Sequence, residues 1–513
     1  MKKVENKIGN LLESGHLKLL LIFFGIALAA RGGVLDRGFA VDDYSFGQGF
    51  SGSEFDVFLA QGRFFLAAID GVIHALGVNI ADIYISLGFL SLLLQAGLVL
   101  AVLRFVGAAD SSGAVIAGSL MVAHPYLAEI LTFRMVLPGY CVGALLTIIA
   151  LEASSQDTEK KNGGLLVSLA ATVGMLFIYQ GFLNYFSVAL IFSFLFGEIL
   201  KNTSVSDQRP SIDHRRRVLR LLLVCLVSVV IFMTAVTISK RLGLISLTSR
   251  AEFIKLHEVP ERISQVLELM ARIYWLGEPM GAHWVKVVIA MMLVIAGLAV
   301  CVEMFRSPAG SRLRFEKMAF LLALPLLALT TVGVILPFKD WWPVPRVLSQ
   351  TSLIIGLILL LAYPILRRSL VKLPAAAFML LPVFLIVSFV FKSNQVFADQ
   401  QRLNSWDRMK VNRIVARLEQ NVDFQKIEYV FFGGGGFGYP AGLNTVQGDM
   451  NVSALYPTYS KMPLLLETSG YRFKPAVGEQ AIRGEDFCKT AAAWPSERSV
   501  SVIGNLAVIC LGD

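Results

Sequence analysis

The chain repeats one feature more often than a soluble fold can accommodate. Apolar runs of roughly 17 to 25 residues recur along it, the length a helix needs to cross a hydrocarbon core about 30 Å thick. Eleven are recognisable, at 18–35, 82–103, 112–128, 137–152, 164–180, 182–199, 218–238, 285–304, 318–337, 348–366 and 374–391. Composition agrees, because 55% of the 513 residues are hydrophobic and 16% are charged, against about 25% charged in ordinary soluble domains. Disordered, coiled-coil, collagen-like and disulfide-scaffold classes are excluded by the same figures. The expected class is a polytopic α-helical membrane protein of about 11 transmembrane helices.

The net charge of +9 invites a nucleic-acid partner, but the placement of the cations argues against one. With the N-terminus inside, six short inner segments and their span edges collect 20 Lys and Arg, most densely at Arg215–Arg217. The loops assigned outside are poorer in them, apart from the long loop at 239–284. Cytoplasmic retention of positive loops explains this pattern and sets the orientation. The first run resembles a signal peptide, with Ala27-Leu28-Ala29 before Ala30, yet ten further runs follow, and retention as a span is expected. Either way, the segment after it lies outside.

Three blocks follow from the pattern: 1–80, a first span and an outer loop; 81–391, the membrane body; and 392–513, a charged, Gly-rich tail with no spanning run. In the tail, Asp399 to Gln420 reads as a helix with Leu403, Trp406, Val411, Ile414 and Leu418 roughly on one face. Ile427–Phe432, Ser499–Ile503 and Leu506–Leu511 read as strands, so a small outer α/β domain is expected. Gly433 to Gly436 lacks the G-x-G-x-x-G spacing that opens onto a helix, and reads as a turn rather than a nucleotide loop. Cys488 and Cys510 share this domain, where an oxidising compartment permits a disulfide between them. Cys141, Cys225 and Cys301 lie in apolar runs, and no metal-ligand spacing exists among the cysteines.

Chemistry concentrates just after the first span. Asp42 and Asp43 are adjacent carboxylates at the membrane surface, followed by Tyr44. Mutual repulsion and nearness to lipid both raise a carboxyl pKa, which is how a base suited to neutral pH is made. An N-cap for a short helix is the ordinary alternative, and adjacency alone leaves both readings open. The following stretch, Phe46 to Leu76, is rich in Phe, Gly and Ala and reads as interfacial helices. It carries Arg63, whose guanidinium can fork onto phosphate, and the pair Asp70–His74, read as an internal polar contact in preference to half a metal site. A second outer loop supplies Glu129 and Arg134, and a later one Lys339, Trp341, Trp342 and Arg346. Indoles flanked by cations suit a sugar face and a phosphate, although Trp at an interface is also the ordinary aromatic belt. Charges are nearly absent from the middles of the spans, which disfavours an ion-coupled transporter.

Asp42-Asp43-Tyr44 after the first span, Gly62-Arg63-Phe64 some twenty residues on, the further spans and a tail opening Asn394-Gln395-Val396-Phe397 together resemble the Gtr-type glucosyltransferases that modify bacterial O-antigen, of the GT-C class of integral-membrane glycosyltransferases. The resemblance implies a polyprenyl-phosphate-linked sugar donor, glucose foremost, and a lipid-linked O-antigen or other surface glycan as acceptor. It places the reaction at the periplasmic face of the bacterial inner membrane, with no cofactor and no metal, among membrane lipids, alongside a donor synthase and a flippase. Asp42 and Asp43 would then supply the catalytic base, with a slight preference for Asp43. Tyr44, Arg63, Arg134, Lys339, Trp341, Trp342 and Arg346 would bind donor phosphate and sugar. An O-antigen polymerase and a non-enzymatic flippase or transporter are the alternatives.

Overall fold

The computed structural model describes residues 15–46, 52–111, 113–155, 163–202, 213–245, 253–275, 281–306, 325–327, 329–369, 375–435, 440 and 442–512. Among them, five helices are long and apolar enough to cross a membrane: Gly15–Leu35, Tyr84–Phe105, Arg134–Ser154, Arg216–Arg241 and Leu380–Glu419. The expectation of about 11 is therefore met only in part. The run at 112–128 is not one straight helix. It divides into a helix, Ala114–Ala123, and a short continuation, Pro125–Thr132, bent by 53°, because Pro125 has no N–H to continue the ladder. The runs at 164–180, 182–199, 285–304 and 348–366 coincide with shorter apolar helices, Gly163–Leu176, Gln180–Phe194, His283–Ile295 and Thr351–Leu360. Much of 318–337 falls outside the described residues.

The elements that matter for the site are α1 (Gly15–Arg31), α2 (Val41–Phe46), α3 (Phe64–Ala75), α4 (Ala114–Ala123), α5 (Glu129–Thr132), α6 (Val259–Tyr274), α7 (Ala375–Glu419), α8 (Thr458–Ser469) and α9 (Glu479–Thr490). α1 packs on α4 at close range: a Cβ at Gly118 would come within 2.1 Å of the Phe23 ring, the small-residue contact that brings membrane helices together. At the C-terminal end of α1, fully buried Arg31 donates from Nε to Gln95 (3.0 Å) and from Nη1 to the Val122 carbonyl (2.6 Å). Gln95 in turn donates to the Leu127 carbonyl. The bend after α4 frees backbone carbonyls, and this buried pair occupies two of them.

α6 links two apolar helices and has three faces. Val266, Leu269 and Ile273 turn inward with Arg262, while Ile263 and Leu267, on the next stripe round, are exposed, and Glu261, Ser264, Glu268 and Arg272 form the third. α7 is a single helix of 45 residues, so the boundary expected at 391/392 falls inside one rigid element. Its first part exposes Leu380, Val383, Phe384 and Phe391. Its second part buries Leu403, Val411, Ile414 and Leu418, the face read from periodicity.

The tail sheet has the order β2-β1-β4-β3, with β1 Tyr429–Gly433, β2 Lys474–Pro475, β3 Val500–Ile503 and β4 Leu506–Cys510. β1 runs parallel to β2 and β4, and β3 closes the edge antiparallel to β4. All five residues of β4 are buried, as an unbroken apolar run requires when both faces are covered. α9 packs on β1 through Gly484, where a Cβ would meet the Phe431 ring at 2.4 Å, and Cys488 of α9 is bonded to Cys510 of β4. The tail core is not made by the tail alone. Phe39 and Tyr44 join Val411, Ile414, Val430, Leu464 and Ile509 in one cluster, so the outer loop after the first span belongs to the tail's interior.

Candidate active site

The loop carrying the acidic doublet is held by α7. The Asn404 side chain accepts from the Phe39 N–H (2.8 Å) and donates to the Phe39 carbonyl (2.9 Å), pairing with that residue as a strand neighbour would. Gln401 donates to the Asp36 carboxylate (2.8 Å). Gly38 passes where a Cβ would sit 2.8 Å from Gln400 Oε1, so a side chain there would require Gln400 to shift. Arg134, itself buried, reaches from the turn Arg134–Val136 to the carbonyls of Leu131 and Asp36. These contacts fix where α2 begins.

Two neighbours on a helix point about 100° apart, and the doublet divides accordingly. Asp43 is 4% exposed. Its Oδ2 accepts from the Ala40 N–H (2.7 Å) and its Oδ1 from the Met135 N–H (2.9 Å). The first contact is half of a capping box, with the carboxylate three residues past the cap satisfying the cap's own N–H. Burial pushes the Asp43 carboxyl up to about 7. Asp42 turns outward and is half-buried. Its Oδ1 accepts a hydrogen bond from the Tyr459 hydroxyl of α8 at 2.7 Å. The doublet thus divides: Asp43 accepts from two backbone donors in the manner of a cap, and Asp42 faces outward.

The remaining candidates separate by exposure. Tyr44 is 2% exposed and packs against Phe39 inside the tail core, so it lines no outer surface. Trp341 is covered by the Arg262 guanidinium, 4.6 Å from its ring centroid. Trp342 remains 40% exposed. Lys339 is exposed, and its carbonyl accepts from Arg262. Arg346 is engaged on both sides. Its backbone N–H and Nη1 donate to Glu129 at 2.5 Å each, and Nη2 donates to Asp449 of the tail at 2.6 Å. Arg63 is the residue just before α3, with its guanidinium 5.1 Å from the centroid of the Tyr179 ring, and Tyr179 also lies in the field of Arg346 and Glu129. Arg63 and Arg346 are therefore brought together around Tyr179, whereas Arg134 holds the backbone at Leu131 and Asp36. Asp70 is buried, and neither carboxylate oxygen has a hydrogen-bond partner among the described residues, so the internal contact with His74 expected from their spacing is not formed.

Sequence reasoning missed Tyr459 and Asp449, both tail residues, and Arg31. The only local signal for the first was Tyr456-Pro457-Thr458-Tyr459, two aromatics around a proline.

A family model described as Glucosyl transferase GtrII matches residues 38–392. The chain belongs to the GtrII glucosyl transferase family. The match opens four residues before Asp42 and takes in the second outer loop and the Lys339–Arg346 segment. It ends inside α7, so the sheet, α8 and Tyr459 lie beyond the part of the chain that GtrII membership describes. No curated protein and no solved structure matches the chain. Membership makes this a glycosyltransferase, in agreement with the resemblance drawn from its motifs.

Proposed function

We propose that this GtrII member transfers glucose from a polyprenyl-phosphate-linked donor to a sugar hydroxyl of O-antigen or another surface glycan, at the periplasmic face of the inner membrane. The tail lies on that same outer side and the N-terminus in the cytoplasm. Asp42 is the general base. It takes the proton of the acceptor hydroxyl as that oxygen bonds to the anomeric carbon, while the bond from that carbon to the phosphate oxygen breaks and polyprenyl phosphate leaves. Attack from the face opposite the leaving group inverts the anomeric centre. Base catalysis of this kind contributes about 10²–10⁴-fold.

The observation that carries this reading is the division of the doublet: one carboxylate faces outward on a rigid helix start, and its neighbour holds the backbone beneath. The leaving phosphate needs charge compensation where charge develops. Arg63 and Lys339 are the cations we assign to it, with Trp342 toward the sugar. Arg346 is already balanced by Glu129 and Asp449 and acts as a strut. Purified protein in lipid, given polyprenyl-phosphate-glucose, tests the proposal. Polyprenyl phosphate should be released only when acceptor is present, and Asp42→Asn should abolish release. Full activity in that variant rejects the assignment.

A further inference from the structure

α8 begins at Pro457, whose extended backbone (φ −74°, ψ 145°) leads into the first turn. Its buried side is occupied by Ser460, Lys461, Leu464 and Leu465. Ser460 donates to the Ala454 carbonyl at 2.7 Å, and Lys461 donates to the Gly434 carbonyl. The helix is thus seated in the tail without help from its other face. The rest of its surface carries two links to the doublet's loop. Tyr459 donates to Asp42, and eight residues on, Glu467 accepts from Arg37 (3.2 Å) and from Arg408 of α7 (3.4 Å). Eight residues is two helical turns and about 80° more, so Tyr459 lies opposite the buried side and Glu467 at its edge.

The Tyr459 side chain has an unusual disposition for its size. Its hydroxyl is fixed on a carboxylate, yet the residue is 52% exposed, and Tyr456, in the turn just before the helix, is 62% exposed. Neither ring contributes to the tail core. A tyrosine with an anchored polar tip and a half-exposed ring is rigid and apolar at once, the combination that suits stacking on the C–H face of a pyranose. The hydrogen bond also fixes which way the Asp42 carboxylate turns, and a base must be oriented toward the proton it removes.

We propose that Tyr459 completes the active site from the tail: its hydroxyl orients Asp42, and its ring, continued by Tyr456, forms the subsite for the acceptor's pyranose. This rests on the assignment of Asp42 as base. It also gives the tail a defined part in the reaction, outside the segment that GtrII membership covers. Tyr459 is a positioning residue toward Asp42 and a contact residue toward the acceptor, and these two roles separate on different substitutions.

The test is steady-state kinetics of the full chain in lipid, with polyprenyl-phosphate-glucose as donor and a lipid-linked saccharide as acceptor. Tyr459→Phe keeps the ring and should lower kcat about tenfold with acceptor KM unchanged. Tyr459→Ala should lower kcat likewise and raise acceptor KM several-fold. Tyr456→Ala should raise acceptor KM alone, and donor KM should stay constant throughout. Wild-type kinetics in all three variants, or a change in donor KM without one in acceptor KM, overturns the inference. Asp42→Asn run in parallel separates the two levels. If it is inactive while the tyrosine variants behave as wild type, only the tail subsite fails; if it is active, the base assignment fails first.

Discussion

Asp42 and Asp43 differ in what they hold, and the difference is measurable. Asp43→Asn must turn its amide nitrogen toward either the Ala40 or the Met135 N–H, and two donors then face each other. A buried donor left without an acceptor costs about 1–3 kcal/mol, so this variant should unfold at a lower temperature, whereas Asp42→Asn should keep its melting temperature and lose transfer. Asp43 also carries a pH signature. Its folded-state pKa of about 7 lies above the unfolded value, so the folded chain binds the extra proton between about pH 4 and 7. Stability from this group is present at the acid end and is lost as pH rises through 7. Thermal melts across that range should show the slope in the wild type and not in Asp43→Asn. The sequence could place the doublet at the surface but not say which carboxylate was buried. That depends on the Met135 N–H, which is 92 residues away, and no local pattern reports it.

At the scale of elements, the apolar runs were legible because bilayer thickness imposes a length, and the strands at 427–432, 499–503 and 506–511 because β-branched and aromatic runs mark them. The bend after α4 had a visible cause in Pro125, but its direction depends on Arg31 and Gln95 from other helices. The connection of Arg346 with Glu129, 217 residues apart, has no local signal either. Glu129 is wholly buried, and removing its partner strands a charge. Arg346→Ala should cost about 3–5 kcal/mol, and the double variant Glu129→Gln with Arg346→Met far less. Melting temperatures of the single and double variants test this. α6 gives a separate expectation: its exposed apolar stripe should lie in the lipid interface. A nitroxide attached at Ile263→Cys should be relaxed by oxygen, which partitions into lipid, and one at Glu268→Cys by a water-soluble nickel chelate. Equal responses to the chelate would place both in water.

Across the whole molecule, the three blocks read from the pattern are closely joined. A tail beginning near residue 392 suggests a module that can be exchanged to change acceptor choice. Two features oppose that. α7 runs unbroken from the apolar segment into the tail, and the tail's core borrows Phe39 and Tyr44 from the loop that carries Asp42. Sequence patterning could not show this, because both residues look like ordinary interfacial aromatics until the chain returns more than 360 residues later to cover them. Deleting residues 420–513 should therefore do more than relax specificity. It uncovers Phe39 and Tyr44, removes Tyr459 from Asp42, and takes Asp449 from Arg346. Transfer should fall to background, and the loop at 36–46 should become cleavable by added protease. A milder lesion follows the same logic. Replacing Cys488 and Cys510 by Ser opens a 22-residue link whose closure contributes about 3 kcal/mol in chain-entropy terms. The tail should then melt at a lower temperature, and transfer should be lost over that same transition, ahead of the membrane helices. Loss of transfer only together with the helices would show instead that the tail is dispensable for turnover.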